Sequence, residues 1–401
     1  MPTDRPGRVS PASILDLAYQ RAQQSIKKPF LTDAHIAEDI EFVCRCASNR
    51  AGVRMLMACL LATLSDPNID IRKPFKPQPR RSRKTTSGAI LEKVVKDPEL
   101  YSGRGYDEVY VGPFAIQHKL PVNKTTSFLT PGYRTNPITL TRDASLTGKP
   151  QELYDRIIRL LNDVHERRAL AEDMLAEIMR LLLVIKSERE LRMSTLLASL
   201  EPSRKSSLLS AERIITLIQQ HMASPRSSRL PVLVVAAAYQ AVQEHLGERH
   251  LPLKGHTTAD SQTKALGDVE IVLKDDNGIV TVYEMKAKRV TREDIESALE
   301  KLEGSEQSVE NYIFITTESI DAEVGDYAKE LYEKIGVEFA ILDCLGFLRH
   351  FLYLFYRLRI QFLEAYQQLV LSEPDSAVNQ ALKEAFLALR LAAEADVAQP
   401  A

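Results

Sequence analysis

The segment Gly267–Lys288, GDVEIVLKDDNGIVTVYEMKAK, constrains the fold of this 401-residue chain more than any other stretch. Two runs of alternating apolar and polar residues flank the Asp-Asn-Gly sequence at 276–278, and these are residue types that form tight hairpin turns. Because side chains alternate along a strand, Glu284 and Lys286 share one face of the second run. The segment therefore predicts a β-hairpin that carries a carboxylate and an ammonium two residues apart in the middle of a domain.

The charged residues of this hairpin form a pattern suited to phosphodiester chemistry. Asp268 begins the first strand, and antiparallel pairing brings it alongside Glu284 and Lys286. Mg²⁺ prefers carboxylate oxygens and water, and a bound ion polarises a phosphate and lowers the pKa of its water. A nearby ammonium can orient that water or offset charge on phosphorus. A solvent-exposed hairpin with scattered charges is the alternative, but the position of Glu284 and Lys286 among apolar residues favours a catalytic site.

The elements predicted around the hairpin define a compact unit. A helix, PVLVVAAAYQAVQEHLG, precedes it. After it, Thr291 and Asp294 suit the cap and third position of the helix TREDIESALEKLEG. The strand NYIFITT, a helix beginning at Asp321 and the strand VEFAILDC then follow. A strand, a helix and a further strand predict a right-handed crossover and a partly parallel sheet.

The hairpin and its neighbouring elements resemble a known nuclease superfamily. Gly267-Asp268 followed by Glu284-Met285-Lys286 resembles the PD-(D/E)xK nuclease motif, with glycine in place of the proline, and the order of elements matches the core of that superfamily. The wider stretch HTTADSQTKALGDVEIVL…VYEMKAKRVT…NYIFITT is similar to type II restriction endonucleases, most nearly the SacI-like group. The clear similarity covers about Leu230 to Cys344. It implies an α/β core within an overall α+β chain: a mixed sheet flanked by helices, with a largely helical N-terminal half.

The resemblance also implies roles for individual residues. Asp268 and Glu284 are expected to bind Mg²⁺, and Lys286 is expected to assist the attacking water. Four further residues are accessory candidates with open alternatives. Members of the superfamily often add an acidic or amide side chain from the preceding helix, so Glu244 is either that group or a solvated helix residue. Glu270 either reaches the metal or faces solvent, and Lys288 either touches a phosphate or is solvated. His256, in the loop before Asp268, either contacts the cleaved strand or organises the loop.

DNA binding requires a local basic surface, because the formal net charge of the chain is -2. The stretch RKPFKPQPRRSRK, residues 72–84, has seven basic residues and three prolines and predicts a loop. The residues predicted to contact DNA are Arg80, Arg81, Arg83, Lys84 and Thr86. The Gly- and Pro-rich region from Tyr101 to Asp143 is a candidate base-reading surface, in which GRGYDEVYVGPFAIQHKL suggests short strands. The alternative for the basic stretch is a solvated loop without DNA contacts.

Four regions are predicted along the chain. Residues 1–148 are helical and loop-rich and would recognise DNA; helix DAHIAEDIEFVCRCA begins there, capped by Thr32. Residues 149–226 form a helical connection, residues 227–345 the nuclease core, and residues 346–401 the C-terminal helices. From the last residue of the core into the last region, Leu345–Leu371 predicts one long aromatic helix whose charges exclude a membrane span. This helix either packs on its own domain or forms the interface of a homodimer.

The sequence thus favours a Mg²⁺-dependent, site-specific double-stranded DNA endonuclease. A repair or junction nuclease of the same fold and a DNA-binding module with an inactive core are the alternatives, and retention of Asp268, Glu284 and Lys286 together disfavours the second. A restriction enzyme also implies a cognate DNA methyltransferase as its functional partner. The four cysteines show no metal-binding spacing and predict buried free thiols, consistent with a reducing cytoplasm.

Overall fold

The structure is a computed structural model. It describes residues 10–46, 49–75, 97–123, 138–146, 148–203, 209–253, 265–276, 278–305, 307 and 309–398. The chain divides into two compact units, Met1–Leu191 and Arg192–Ala401, and in the part of the first that the structure describes the regular elements are helices, joined by turns and loops. The prediction of four functional regions stays a prediction.

Helices of the first unit bury a continuous apolar core. In chain order they are α1 (Pro11–Gln24), α2 (Ala34–Arg45), α3 (Ala51–Ser65), α4 (Gly103–Tyr106), α5 (Gly112–Gln117), α6 (Gln151–His165) and α7 (Ala171–Ser203), with a π-helical turn over Asp107–Val111. Helix α7 begins in the first unit and ends in the second. Helix α3 is buried almost all round, as its apolar sequence predicts. Thr32 does not cap α2, because Asp33 accepts hydrogen bonds from the backbone N–H groups of His35 and Ile36. The expected buried thiols are confirmed for Cys44, Cys59 and Cys344.

The prediction of short strands in GRGYDEVYVGPFAIQHKL is wrong. This stretch forms α4, the π-helical turn and α5. The reason is a tertiary contact, since the buried Asp107 accepts hydrogen bonds from Arg54 Nε at 2.8 Å and Nη2 at 2.7 Å. A buried guanidinium requires such a partner. A Cβ atom on Gly112 would lie 2.6 Å from Arg54 Nη2, so the glycine leaves room for the ion pair.

The second unit contains a mixed sheet in which five described strands pair in sequence order. They are β1 (Glu248–His250), β2 (Val269–Leu273), β3 (Ile279–Lys286), β4 (Asn311–Thr316) and β5 (Glu338–Asp343). The predicted hairpin is confirmed, because β2 and β3 pair antiparallel. The partly parallel sheet is also confirmed, because β4 lies parallel to both β3 and β5. The sequence does not predict strand β1, since three residues ending in a loop carry no periodic signal.

Helices cover both faces of this sheet. In chain order they are α8 (Ala211–Met222), α9 (Leu230–Leu246), α10 (Arg292–Glu303), α11 (Ala322–Ile335), α12 (Cys344–Leu354), α13 (Arg359–Ser372) and α14 (Gln380–Ala398). The face that carries Val272 and Val282 packs against α10 and α11. The opposite face, with Ile271 and Tyr283, packs against the helices α8, α9 and α12 to α14. The observed mixture of helices and mixed sheet is compatible with a restriction-endonuclease-like fold.

The predicted single helix over Leu345–Leu371 is wrong. Helix α12 ends before Phe355, a 3₁₀ turn covers Tyr356–Leu358, and α13 then begins at Arg359. The side chain of Arg359 donates to the carbonyl oxygens of Leu209 and Tyr356, both at 2.8 Å, and so fixes the break. In the ranges that the structure describes, no helix is long and apolar enough to cross a membrane.

A buried histidine makes the second unit sensitive to acid. His221 Nδ1 lies 3.0 Å from the Tyr366 hydroxyl, and Nε2 lies 3.0 Å from the carbonyl oxygen of Leu382. The carbonyl can only accept, so the neutral ring carries its proton on Nε2. Burial lowers the pKa of His221 from 6.5 to about 4. The unfolded chain therefore binds a proton at higher pH than the folded chain does.

We expect the stability that His221 confers to be complete above pH 6.5 and to be lost as the pH falls towards 4. The loss is on the order of 3 kcal/mol of unfolding free energy. Urea unfolding between about pH 7 and about pH 4.5, a range that spans most of this transition, measures it, with His221→Gln as the non-titrating control. Equal pH dependence in the two proteins would contradict the assignment.

Candidate active site

Asp268 is held against β3 by two hydrogen bonds. Its backbone N–H donates to the carbonyl oxygen of Tyr283, and its Oδ2 accepts from the backbone N–H of Met285, both at 2.8 Å. These bonds extend the β2–β3 ladder by one residue, with a side-chain oxygen in the place of a carbonyl. The carboxylate of Asp268 is therefore fixed beside Glu284, as the hairpin pattern predicts.

The glycine at position 267, where the resembling motif has proline, has a steric explanation. A Cβ atom on Gly267 would lie 2.5 Å from Val282 Cγ1 and 2.7 Å from the backbone oxygen of Tyr283. That oxygen is the acceptor for Asp268, so it cannot move without disturbing the candidate ligand. Proline also carries a Cβ atom, so this backbone path requires glycine at position 267.

We expect Gly267→Ala to cost about 1–3 kcal/mol of unfolding free energy, since the added carbon must displace backbone. The same substitution at Gly325 in α11 is a matched control, because a Cβ atom there would meet no neighbouring group within 4 Å. Gly325→Ala is expected to stabilise the chain by up to about 1 kcal/mol through helix propensity. Urea unfolding of both variants measures the difference, and a neutral Gly267→Ala would show that the close approach is not required.

Glu284 lies at the margin of the apolar face under α10, and its side chain is 14% exposed. Burial raises the pKa of Glu284, and the negative charge of Asp268 raises it further, while Lys301 and Lys286 act in the opposite direction. Lys286 Nζ lies 3.1 Å from Oε1, and Lys301 Nζ lies 3.7 Å from Oε2. Each oxygen of Glu284 thus faces an ammonium group.

Lys286 is held between two carboxylates. Its Nζ lies 3.1 Å from Glu284 Oε1 and 3.3 Å from Asp294 Oδ1, and its side chain is 21% exposed. Burial alone would lower the pKa of Lys286, but Glu284 and Asp294 outweigh it and the net pKa is raised. Lys286 is therefore a charged donor at neutral pH, suited to offset negative charge and unsuited to act as a base.

The donor set at this edge fits a hard divalent cation. Mg²⁺ typically takes one or two protein carboxylates and completes its shell with water and substrate phosphate. Asp268 and Glu284 supply two carboxylates close enough for their charges to interact, and the second already attracts two ammonium groups. Among the described residues no three His, Cys, Asp or Glu side chains converge on one point. The two carboxylates would therefore hold an ion together with water and phosphate oxygens.

The accessory candidates take different positions. Glu270 is buried, and its Oε1 accepts a hydrogen bond of 2.8 Å from the backbone N–H of Leu266, so of its two alternatives the solvent-facing one is wrong. Glu244 is exposed and pairs with Lys274 at 3.1 Å, beyond β2 at the turn end of the hairpin. The structure does not bring Glu244 to Asp268, because α9 packs on the other face of the sheet. Glu244 is therefore a solvated helix residue, which was the alternative to a role at the site.

The remaining candidates are Lys288, the predicted DNA-contacting residues and His256. Lys288 is 68% exposed, and its Nζ lies 3.4 Å from Asp294 Oδ1. Arg80, Arg81, Arg83, Lys84, Thr86 and His256 lie outside the described residues.

The sequence does not indicate the approach of Asp294 and Lys301 to the site. It predicts Asp294 only as the third residue of α10, and Lys301 has the spacing of an ordinary surface residue on that helix.

Comparison with known families bears on the same elements. Residues 205–318 match the family model described as the SacI restriction endonuclease C-terminal domain. The matched range contains Asp268, Glu284 and Lys286 with the strands and the helix that position them. It supports the resemblance to SacI-like type II restriction endonucleases and indicates a DNA endonuclease of a restriction system. No curated protein matches the chain.

Proposed function

We propose that the protein is a Mg²⁺-dependent, sequence-specific type II endonuclease that hydrolyses phosphodiester bonds in double-stranded DNA. The observation that carries the proposal is the meeting of Asp268, Glu284 and Lys286 at one edge of the sheet, in a range similar to the SacI C-terminal domain. A restriction enzyme of this kind acts beside a cognate DNA methyltransferase.

Each residue of the site has a distinct task in the proposed reaction. A bound Mg²⁺ would polarise the scissile phosphate and acidify a water molecule. Asp268 and Glu284 would hold that ion, the first fixed by its hydrogen bond from Met285 and the second by its position under α10. Lys286 would donate to the phosphate oxygens, where negative charge grows as the water oxygen bonds to phosphorus and the leaving oxygen departs.

Binding to DNA is proposed to involve the first unit. We propose that Arg80, Arg81, Arg83, Lys84 and Thr86 contact the phosphate backbone, because clustered basic residues interrupted by prolines suit a segment that follows a strand. A two-fold homodimer is proposed as the active form, because cleavage of both strands at a palindrome matches such symmetry.

Incubation of the full chain with a panel of plasmids tests the proposal. With Mg²⁺ we expect discrete fragments, and with EDTA we expect none. Sequencing of the fragment ends identifies the site, and methylation of that site should prevent cleavage. Cutting at branched or damaged DNA without sequence preference would favour a repair or junction nuclease. Binding without cleavage under every condition would favour an inactive DNA-binding module.

A further inference from the structure

Asp294 occupies the third position of α10 and completes a capping box. Its Oδ2 accepts hydrogen bonds from the backbone N–H of Thr291 at 3.0 Å and from the Thr291 hydroxyl at 3.1 Å. The backbone N–H of Asp294 in turn donates to the Thr291 hydroxyl oxygen. The carboxylate is 11% exposed, so the start of α10 fixes it in one orientation.

The second oxygen of the same carboxylate faces the candidate active site. Oδ1 lies 3.3 Å from Lys286 Nζ and 3.4 Å from Lys288 Nζ. Lys288 is largely exposed, and an exposed ion pair contributes little. Lys286 is mostly buried and has Glu284 on its other side, so the contact with Asp294 holds a group whose position matters for the reaction.

We propose that Asp294 is a positioning residue that holds the ammonium of Lys286 at the reacting phosphate. The inference rests on the proposed nuclease function. A lysine side chain is a flexible four-carbon stem with a compact charge, so it needs an external partner to stay in one place. Glu284 has less negative charge to offer Lys286 when it also binds a cation. Asp294, fixed by the helix cap and not part of the proposed cation site, remains the anchor.

The role of Asp294 in the helix cap and the role of its charge can be tested separately with two substitutions whose side chains are equal in size. Glutamate and glutamine at the third position of a helix both complete a capping box with threonine. Asp294→Glu keeps the anion, whereas Asp294→Gln replaces it with a neutral amide. A purely structural role predicts the same behaviour for both variants, and the proposed role predicts that they differ.

Two measurements carry the test. In single-turnover cleavage we expect Asp294→Gln to be at least about tenfold slower than Asp294→Glu, with equal DNA affinity in Ca²⁺ and equal melting temperatures. Without DNA or metal, we expect acetic anhydride to acetylate Lys286 faster in Asp294→Gln than in Asp294→Glu. Mass spectrometry measures this rate against Lys329, an exposed lysine on α11. Equal cleavage rates for the two variants, or equal acetylation rates if the wild type cleaves no DNA, would overturn the proposal.

The acetylation result also separates this inference from the proposed function. If the wild-type chain cleaves no DNA, the nuclease proposal fails, and Lys286 acetylation still shows whether Asp294 holds the lysine. If the wild-type chain cleaves DNA and the two variants cleave equally fast, the function stands and Asp294 is a helix cap alone.

Discussion

Asp268→Asn and Glu284→Gln are each expected to reduce DNA cleavage by at least about a thousandfold, because the loss of a proposed metal ligand would remove several kcal/mol of transition-state stabilisation. Both substitutions preserve size. The amide oxygen introduced by Asp268→Asn can still accept the hydrogen bond from Met285, so the hairpin should keep its geometry. Single-turnover cleavage at saturating Mg²⁺ is the measurement, with melting temperature and DNA binding in Ca²⁺ expected to stay near those of the wild type.

Asp326→Asn and Glu330→Gln are matched controls for these two substitutions. Both residues lie exposed on α11, where they pair with Lys329 and Lys334 on the same helix. These two substitutions remove the same charges as Asp268→Asn and Glu284→Gln and should leave cleavage unchanged. If Asp268→Asn cleaves as fast as Asp326→Asn, the assignment of the metal site is wrong.

Lys286→Met is expected to slow cleavage by about a hundredfold or more, the effect of removing one preorganised donor to a developing oxyanion. Lys288→Met is the comparison, since both lysines reach Asp294 and carry the same charge. Lys288 is exposed and does not contact Glu284 in the structure, so its loss should slow cleavage less than about fivefold. The rate constant under single-turnover conditions is the measurement, because it excludes product release.

A larger effect of Lys288→Met would show that the roles of the two lysines are interchanged. Equal, small effects would show that neither ammonium stabilises the transition state. DNA affinity in Ca²⁺ separates these cases from a simple loss of binding, because a lost phosphate contact weakens affinity and flattens its salt dependence.

Local patterns in the sequence determined the centre of the second unit. Alternation and turn residues predicted the hairpin, and the spacing of Glu284 and Lys286 on one face follows from the two-residue period of a strand. The capping box at Thr291 and Asp294 could also be predicted from the sequence, because it depends on contacts within one helical turn. Each of these features is set by residues close together in the chain.

Tertiary structure decided everything that joins distant segments. Residues 103–117 are helical although their composition suggested strands, because Asp107 must meet the buried guanidinium of Arg54. Helix α12 ends before Phe355 because Arg359 binds the carbonyl oxygens of Tyr356 in the turn and of Leu209 on a distant segment. Neither partner could be chosen from composition or periodicity, since many residues of the same type compete for each contact.

The candidate site shows the same division. The sequence by itself determined that Asp268, Glu284 and Lys286 meet, because a hairpin register is fixed by its turn and its apolar face. It did not determine that position 267 must be glycine, that Lys301 approaches Glu284, or that one oxygen of Asp294 faces Lys286. These contacts depend on how closely β2 approaches β3 and on how α10 lies across the sheet, and only the packing of whole elements against one another sets those distances.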